Sequence, residues 1–167
     1  MSFWDRFITK EVSKPLSKLQ ESILNQFPDY SEEKRVLLGC LAALSARIAY
    51  VDFDISPKEK DAMIKALKKW MNLDDKEAHF VATKALEEVV ELSGIEPRDY
   101  CTALNEFLDN TQKLHVLETL FQISASDDNV EEYESEEIRI IATGLLLEHK
   151  HFIAARATVA KFIGALK

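Results

Sequence analysis

The sequence predicts an all-α protein, a single compact bundle of seven to eight helices. Three observations carry this. Only 4 Gly and 4 Pro occur in 167 residues, alternation of β-branched and polar residues is absent, and apolar residues recur at intervals of three and four, the spacing of one helix face. At 47% apolar and 30% charged residues, the chain has enough hydrophobic side chains for one full core and is not of disordered composition.

Residues 2 to 12 read as a short amphipathic helix with Phe3, Trp4, Phe7, Ile8 and Val12 on one face. A second helix, about Lys14 to Phe27, carries Leu16, Leu19, Ile23 and Phe27. Residues 1–30 then either pack on the bundle or serve as an interfacial segment. Trp and Phe beside Lys10, Lys14 and Lys18 is a membrane-surface pattern, which makes Trp4 and Phe7 candidate partner-binding residues. Asp5, Glu11 and Glu21 dilute that basic face and favour packing.

Pro28 to Ser31 forms the linker into residues 31–167, the main helical domain. Ser31 before Glu32 and Glu33 is an N-cap followed by acids in the first turn. The helix that follows, to about Val51, is Leu- and Ala-rich from Val36 to Ala49 with Arg47 its one charge, so it is the central helix. Ser56, Pro57 and Glu59 combine an N-cap, a proline at the first helical position and a capping-box glutamate. Met63, Ile64, Leu67 and Trp70 point inward from that helix. Asp74 and Glu77 open the next, through about Leu92; Ser93-Gly94 stops it, and Glu96-Pro97 restarts the chain toward Leu108. Asp109-Asn110 separates this from a helix over about Thr111 to Ser126. Ser135 is expected to cap a helix to about Leu147, and His149 to Lys167 to form the last.

One stretch occurs twice. Ile48 to Glu59 aligns with Ile123 to Glu134 at an offset of 75, placing Asp52 on Asp127, Ile55 on Val130, Glu59 on Glu134 and Met63 on Ile138. Each copy is a helix end, an acidic loop with one aliphatic residue, and a helix start. This predicts an internal two-fold repeat. Asp52 and Asp54, like Asp127 and Asp128, follow a helix C-terminus, where the macrodipole disfavours a carboxylate by about 0.3–1 kcal/mol. From Asp127 to Glu137 there are seven acids and no Lys or Arg. A bound cation would offset that repulsion, and so would solvent and the positive end of the following helix.

The EF-hand is the obvious test, with oxygen ligands at positions 1, 3 and 5, Gly at 6 and Glu at 12. Counting from Asp52, those last two are Pro57 and Met63; from Asp127 they are Glu132 and Ile138. Both loops fail it. Carboxylate oxygens would still favour Ca²⁺, Mg²⁺ or Mn²⁺ over Zn²⁺. Candidate ligands are Asp52, Asp54, Glu59, Asp127, Asp128, Glu131 and Glu134, three carboxylates from the first loop being too few alone.

The doubled pattern A-x-x-D-G-x-I-S-x-x-E resembles the TerB family of tellurite-resistance proteins and related domains of some co-chaperones. Ala49 through Asp52, Ile55, Ser56 and Glu59 carry it, then Ser124, Asp127, Val130 and Glu134. The opening Met1 to Asp5 is also similar to the start of TerB proteins, and the main likeness runs from about residue 31 to 152. The resemblance implies an all-helical bundle whose two loops meet on one acidic face, binding a divalent metal or a basic partner in stress or tellurite resistance, with no enzymatic activity. The motif's glycine is replaced by Phe53 and Asp128. If that position needs a positive φ, Asp is tolerated and Phe is strained.

A net charge of −8 argues against nucleic acid as partner. Isolated Cys40 and Cys101, with no export signal, suggest a reducing cytoplasm, with a peripheral place on the inner face of the membrane if the N-terminal helix binds there. No apolar run approaches a membrane span. His149 and His151 diverge on a helix and make poor joint ligands, and His79 and His115 stand alone. No catalytic constellation is evident. The expected modes are a metal-binding stress protein, or an adaptor docking a basic protein or membrane surface through its acidic face or the Trp4 and Phe7 helix.

Overall fold

The computed structural model describes residues 13–51, 54–92 and 97–163. Eight α-helices lie among them: α1 Ser13–Gln26, α2 Glu32–Ala49, α3 Pro57–Met71, α4 Asp75–Leu92, α5 Pro97–Phe107, α6 Asn110–Ser124, α7 Glu132–Gly144 and α8 His149–Ala157. Two 3₁₀ turns, Ala125–Asp127 and Ala160–Phe162, follow α6 and α8. The described residues contain no strand, only an isolated bridge between Val130 and Ile163. The all-α class stands, and no described helix is long and apolar enough to cross a membrane.

The helix starts follow their chemistry. Ser31 Oγ accepts from Lys34 N, capping α2. At α3 the reciprocal box is complete: Glu59 N donates to Ser56 Oγ at 3.1 Å and Ser56 N to Glu59 Oε2 at 2.8 Å. Asp74 and Glu77 form the same pair at α4, and Asp109 with Gln112 at α6.

α2 is the axis. Its run from Leu38 to Ala46 is buried throughout, and α1, α3, α4, α5, α6 and α7 all pack on it. α1 lies across α2 and α4 with Leu19, Ile23 and Phe27 in the core. It approaches α2 closely at Gly39, where an added Cβ would fall 1.9 Å from Gln20 Nε2. Residues 1–12, with Trp4 and Phe7, lie outside the described residues.

Packing on the two sides of the α4–α5 junction is similar. α2 packs on α3 and α4, and α3 on α4; α6 packs on α7 and α8, and α7 on α8. The sets interlock, with α6 against α2 and α3, and α7 touching α2. Between α2 and α7 the Arg47 guanidinium pairs with the Glu137 carboxylate, the two side chains only 17% and 15% exposed.

Two expectations are corrected. The N-cap of α7 lies four residues before Ser135: it is Glu131, and Ser135 sits buried in the first turns with its N–H on Glu131 O. The helix expected from His149 to Lys167 does not run unbroken. α8 stops at Ala157, where Thr158 Oγ1 turns back to Ala155 O, and Val159 leaves helical geometry at φ −119°. The chain then extends at Ile163 to meet Val130, whose N–H donates to Phe162 O at 2.8 Å. Between Thr158 and Ile163 a 3₁₀ turn and this pairing with the second acidic loop thus stand where helix was expected.

Candidate functional site

Of the first loop, Asp52 and Phe53 lie outside the described residues; Asp54 is exposed, and Ile55 packs partly buried against the core. Glu59 is 4% exposed, with Oε2 committed to the start of α3. It serves the helix first, whatever else it touches.

The second loop is described in full. α6 ends at Ser124 and passes into the 3₁₀ turn, which packs against α3, the helix that opens from the first loop. Asp127 and Asp128 are exposed on that turn. Asp127 Oδ1 accepts from Asn129 N at 3.1 Å, the short-range bond that makes Asp a turn residue. Asp128 sits at φ 68°, ψ 16°, its N–H donating to Ala125 O at 3.0 Å. This is the glycine position of the repeated motif, and the left-handed conformation expected there is present. Asp can hold it because its short polar side chain tolerates αL better than most.

Val130 then turns inward, 2% exposed, as the aliphatic anchor that Ile55 supplies in the first loop. Glu131 is exposed and accepts from Asn129 Nδ2. Glu134 is 6% exposed, and its Oε2 accepts from Glu131 N at 2.8 Å, as Glu59 does from Ser56. Farther along α7, Glu136 pairs with Arg139, which holds its carboxyl below the usual range, and Glu137 is taken by Arg47.

Of the seven sequence-chosen acids, the six described fall into two kinds. Glu59 and Glu134 are buried helix-starting groups; Asp54, Asp127, Asp128 and Glu131 are presented to solvent. Among the described residues, no three His, Cys, Asp or Glu side chains converge to hold a metal ion. His151 is engaged structurally, its Nδ1 accepting from Glu148 N at 3.1 Å.

Sequence reasoning missed three features of this neighbourhood. The Arg47–Glu137 pair joins residues 90 apart, and no local signal marks it. The backing of Val130 by Phe162 and Ile163 was hidden because the C-terminal segment reads as amphipathic helix. Asn129, which contributes through both its backbone and its side chain, could have been found from its Asx-turn propensity.

Comparison with curated proteins and with solved structures gave no match. A comparison with family models gave one, to the family described as tellurite resistance protein TerB, over residues 40–157. That span holds most of α2, both acidic loops and all of α3 through α8. Covering well over half of the chain, it establishes that this protein belongs to the TerB family.

Proposed function

We propose that this TerB protein is not an enzyme and works by binding a divalent cation at its acidic loops, in a tellurite-resistance or stress role of the family's type. Asp54, Asp127, Asp128 and Glu131 are the ligands offered to solvent, Asp52 is the further ligand this reading takes from the first loop, and Glu59 and Glu134 shape the helix starts behind them. The observation that supports this reading is the second loop. Three exposed carboxylates lie within five residues there, on a turn fixed by a left-handed residue and an Asx bond, with no Lys or Arg before Arg139.

The described carboxylates do not form a complete shell. The reading therefore assigns the remaining positions to Asp52 and to water, which suits Mg²⁺ and Mn²⁺ with their retained waters and leaves room for the 6 to 8 oxygens of Ca²⁺. At 100 times Kd a bound ion adds about 2.7 kcal/mol to stability. For a domain of this size that raises Tm by about 5–11 °C, at roughly 2–4 °C per kcal/mol.

The test is thermal unfolding after chelation, repeated with Ca²⁺, Mg²⁺, Mn²⁺ or Zn²⁺, on wild type and on Asp52→Asn/Asp127→Asn. A shift in wild type that the double variant loses supports the metal reading. No shift with any ion, or an equal shift in the variant, overturns it and leaves the same acidic face as a docking surface for a basic protein.

A further inference from the structure

α7 closes with two backbone bonds, Leu146 N to Thr143 O at 3.0 Å and Leu147 N to Ala142 O at 3.1 Å. That closure needs a left-handed residue, and Leu146 supplies it at φ 59°. Glycine takes such a position without strain, whereas a leucine there is conformationally unfavourable. Packing does not offset this within the chain. Leu145 and Leu147 enter the core, but Leu146 is 74% exposed, the highest value among the large apolar residues described. The side chain is thus both strained at its backbone and left in water.

Beside it lies a groove of about 710 Å³ between α5 and α7. Pro97, Thr102 and Asn105 form the α5 wall and Ile140 and Thr143 the α7 wall. Asn105 Nδ2 ties the two helices together through Gly144 O at 2.9 Å. Ile140 is also exposed, so it and Leu146 present apolar surface on one face. Among the described residues that line the groove, Arg139 alone is charged, and it pairs with Glu136 one turn earlier on α7.

A leucine knob and a groove able to receive it on one face are what association about a two-fold axis requires, because each copy must offer both. Charge points to the same occupant. Copies of net charge −8 repel one another, and they meet at least cost where the local charge is balanced. The Arg139–Glu136 rim is balanced, whereas the acidic loops are not. We infer that two copies of this chain associate through the α5–α7 face, the Leu146 side chain of each seated in the groove of the other and each Arg139 brought to the partner's Glu136. The inference uses none of the loop carboxylates, so it does not depend on the cation reading.

Sedimentation of the full chain in chelator, from about 1 µM to about 500 µM, should show monomer converting to dimer. Leu146→Gly should weaken the dimer about a hundredfold, because the axis applies the loss twice, yet raise Tm at concentrations where both proteins are monomers. A leucine with only a structural role would not move those two readings in opposite directions. Ile140→Gln, on the exposed α7 wall, should weaken the dimer about tenfold. Arg139→Glu should weaken it too, and Glu136→Arg/Arg139→Glu should restore it. The inference is overturned if the wild type is still a monomer at about 500 µM, if Leu146→Gly or Ile140→Gln dimerises as the wild type does, or if the charge-swapped double variant stays as weak as Arg139→Glu. A monomeric wild type whose Tm falls on Leu146→Gly would overturn it in favour of an occupant from the same chain.

Discussion

Replacing Asp128 tests the geometry of the acidic loop directly, because conformation and charge make separable contributions there. At φ 68° the residue pays the left-handed cost of an L side chain, about 1–2 kcal/mol for most residues and at the low end for Asp and Asn. Its charge adds about 0.3–1 kcal/mol of repulsion from the negative end of α6. Asp128→Asn keeps the tolerance and removes the charge, so the metal-free protein should gain about 0.3–1 kcal/mol, less at high salt. Asp128→Gly removes both terms and loses about 0.5–1 kcal/mol to unfolded-chain entropy, for a net gain of about 0.5–1.5 kcal/mol. Asp128→Val, β-branched at positive φ, should lose about 1 kcal/mol despite the charge relief. Urea unfolding of chelated protein at low and high salt measures all three, and the order Gly, Asn, wild type, Val is the expected one. If Val is as stable as wild type, residue 128 is not left-handed in solution. If Asn destabilises the metal-free protein, its carboxylate stabilises the turn more than it repels the helix end.

Three more predictions follow from the packing. Glu137→Gln should cost about 1–3 kcal/mol in urea unfolding, because it leaves the half-buried Arg47 guanidinium without its charged partner; a loss under about 0.5 kcal/mol would rank the pair with ordinary surface bridges. Leu146, 74% exposed at φ 59°, closes α7 in the place where glycine is usual, so Leu146→Gly should stabilise by about 0.5–1 kcal/mol, and a loss would refute the strain assigned to it. Burial pushes the Cys101 thiol from 9.0 up to about 12, and raises Cys40 and Tyr100 further. Because the folded values lie above the unfolded ones, the stabilisation is complete below pH 9 and is lost as pH rises toward 12. Denaturation midpoints from pH 8 to pH 11 should fall accordingly, and a flat profile would contradict the burial of these groups.

What was legible in the sequence was mostly local. The boxes at Ser56–Glu59 and Asp74–Glu77 are short-range hydrogen-bond patterns, and they form where the residue spacing places them. The uncharged run of α2 foretold its central position, because a helix apolar on most sides has nowhere else to go. α7 was misplaced because a serine is the stronger N-cap by propensity, yet the chain uses Glu131 and buries Ser135. Tertiary demand decided that choice: starting at Glu132 puts Ile138 and Ile141 in the core and Glu137 opposite Arg47. The end of α8 failed similarly, since the bridge from Ile163 to Val130 is a long-range contact with no pattern along the chain. The surroundings of the Trp70 indole were equally illegible. Trp70 reads as an inward residue, and nothing in its spacing says that its indole N–H finds no acceptor.

The repeated motif can now be divided by what its acids do. Its last acid, Glu59 or Glu134, lies at the third helical position and satisfies the cap residue's N–H, a task that glutamine performs as well and that needs no bound ion. Its first acid in the second copy, Asp127, orders the turn through Asn129 N. The seven-residue spacing between the two, Asp52 to Glu59 and Asp127 to Glu134, is thus the length needed to end one helix, bury an aliphatic and start the next. Such spacing would persist in a loop that bound nothing. The exposed acids of the described loops are Asp54, Asp127, Asp128 and Glu131, and Glu131 holds the capping position at the α7 start, where Ser or Asn is the commoner cap. Asp127 and Asp128, two carboxylates just beyond the C-terminal end of α6, are the observation on which the proposed cation reading rests most.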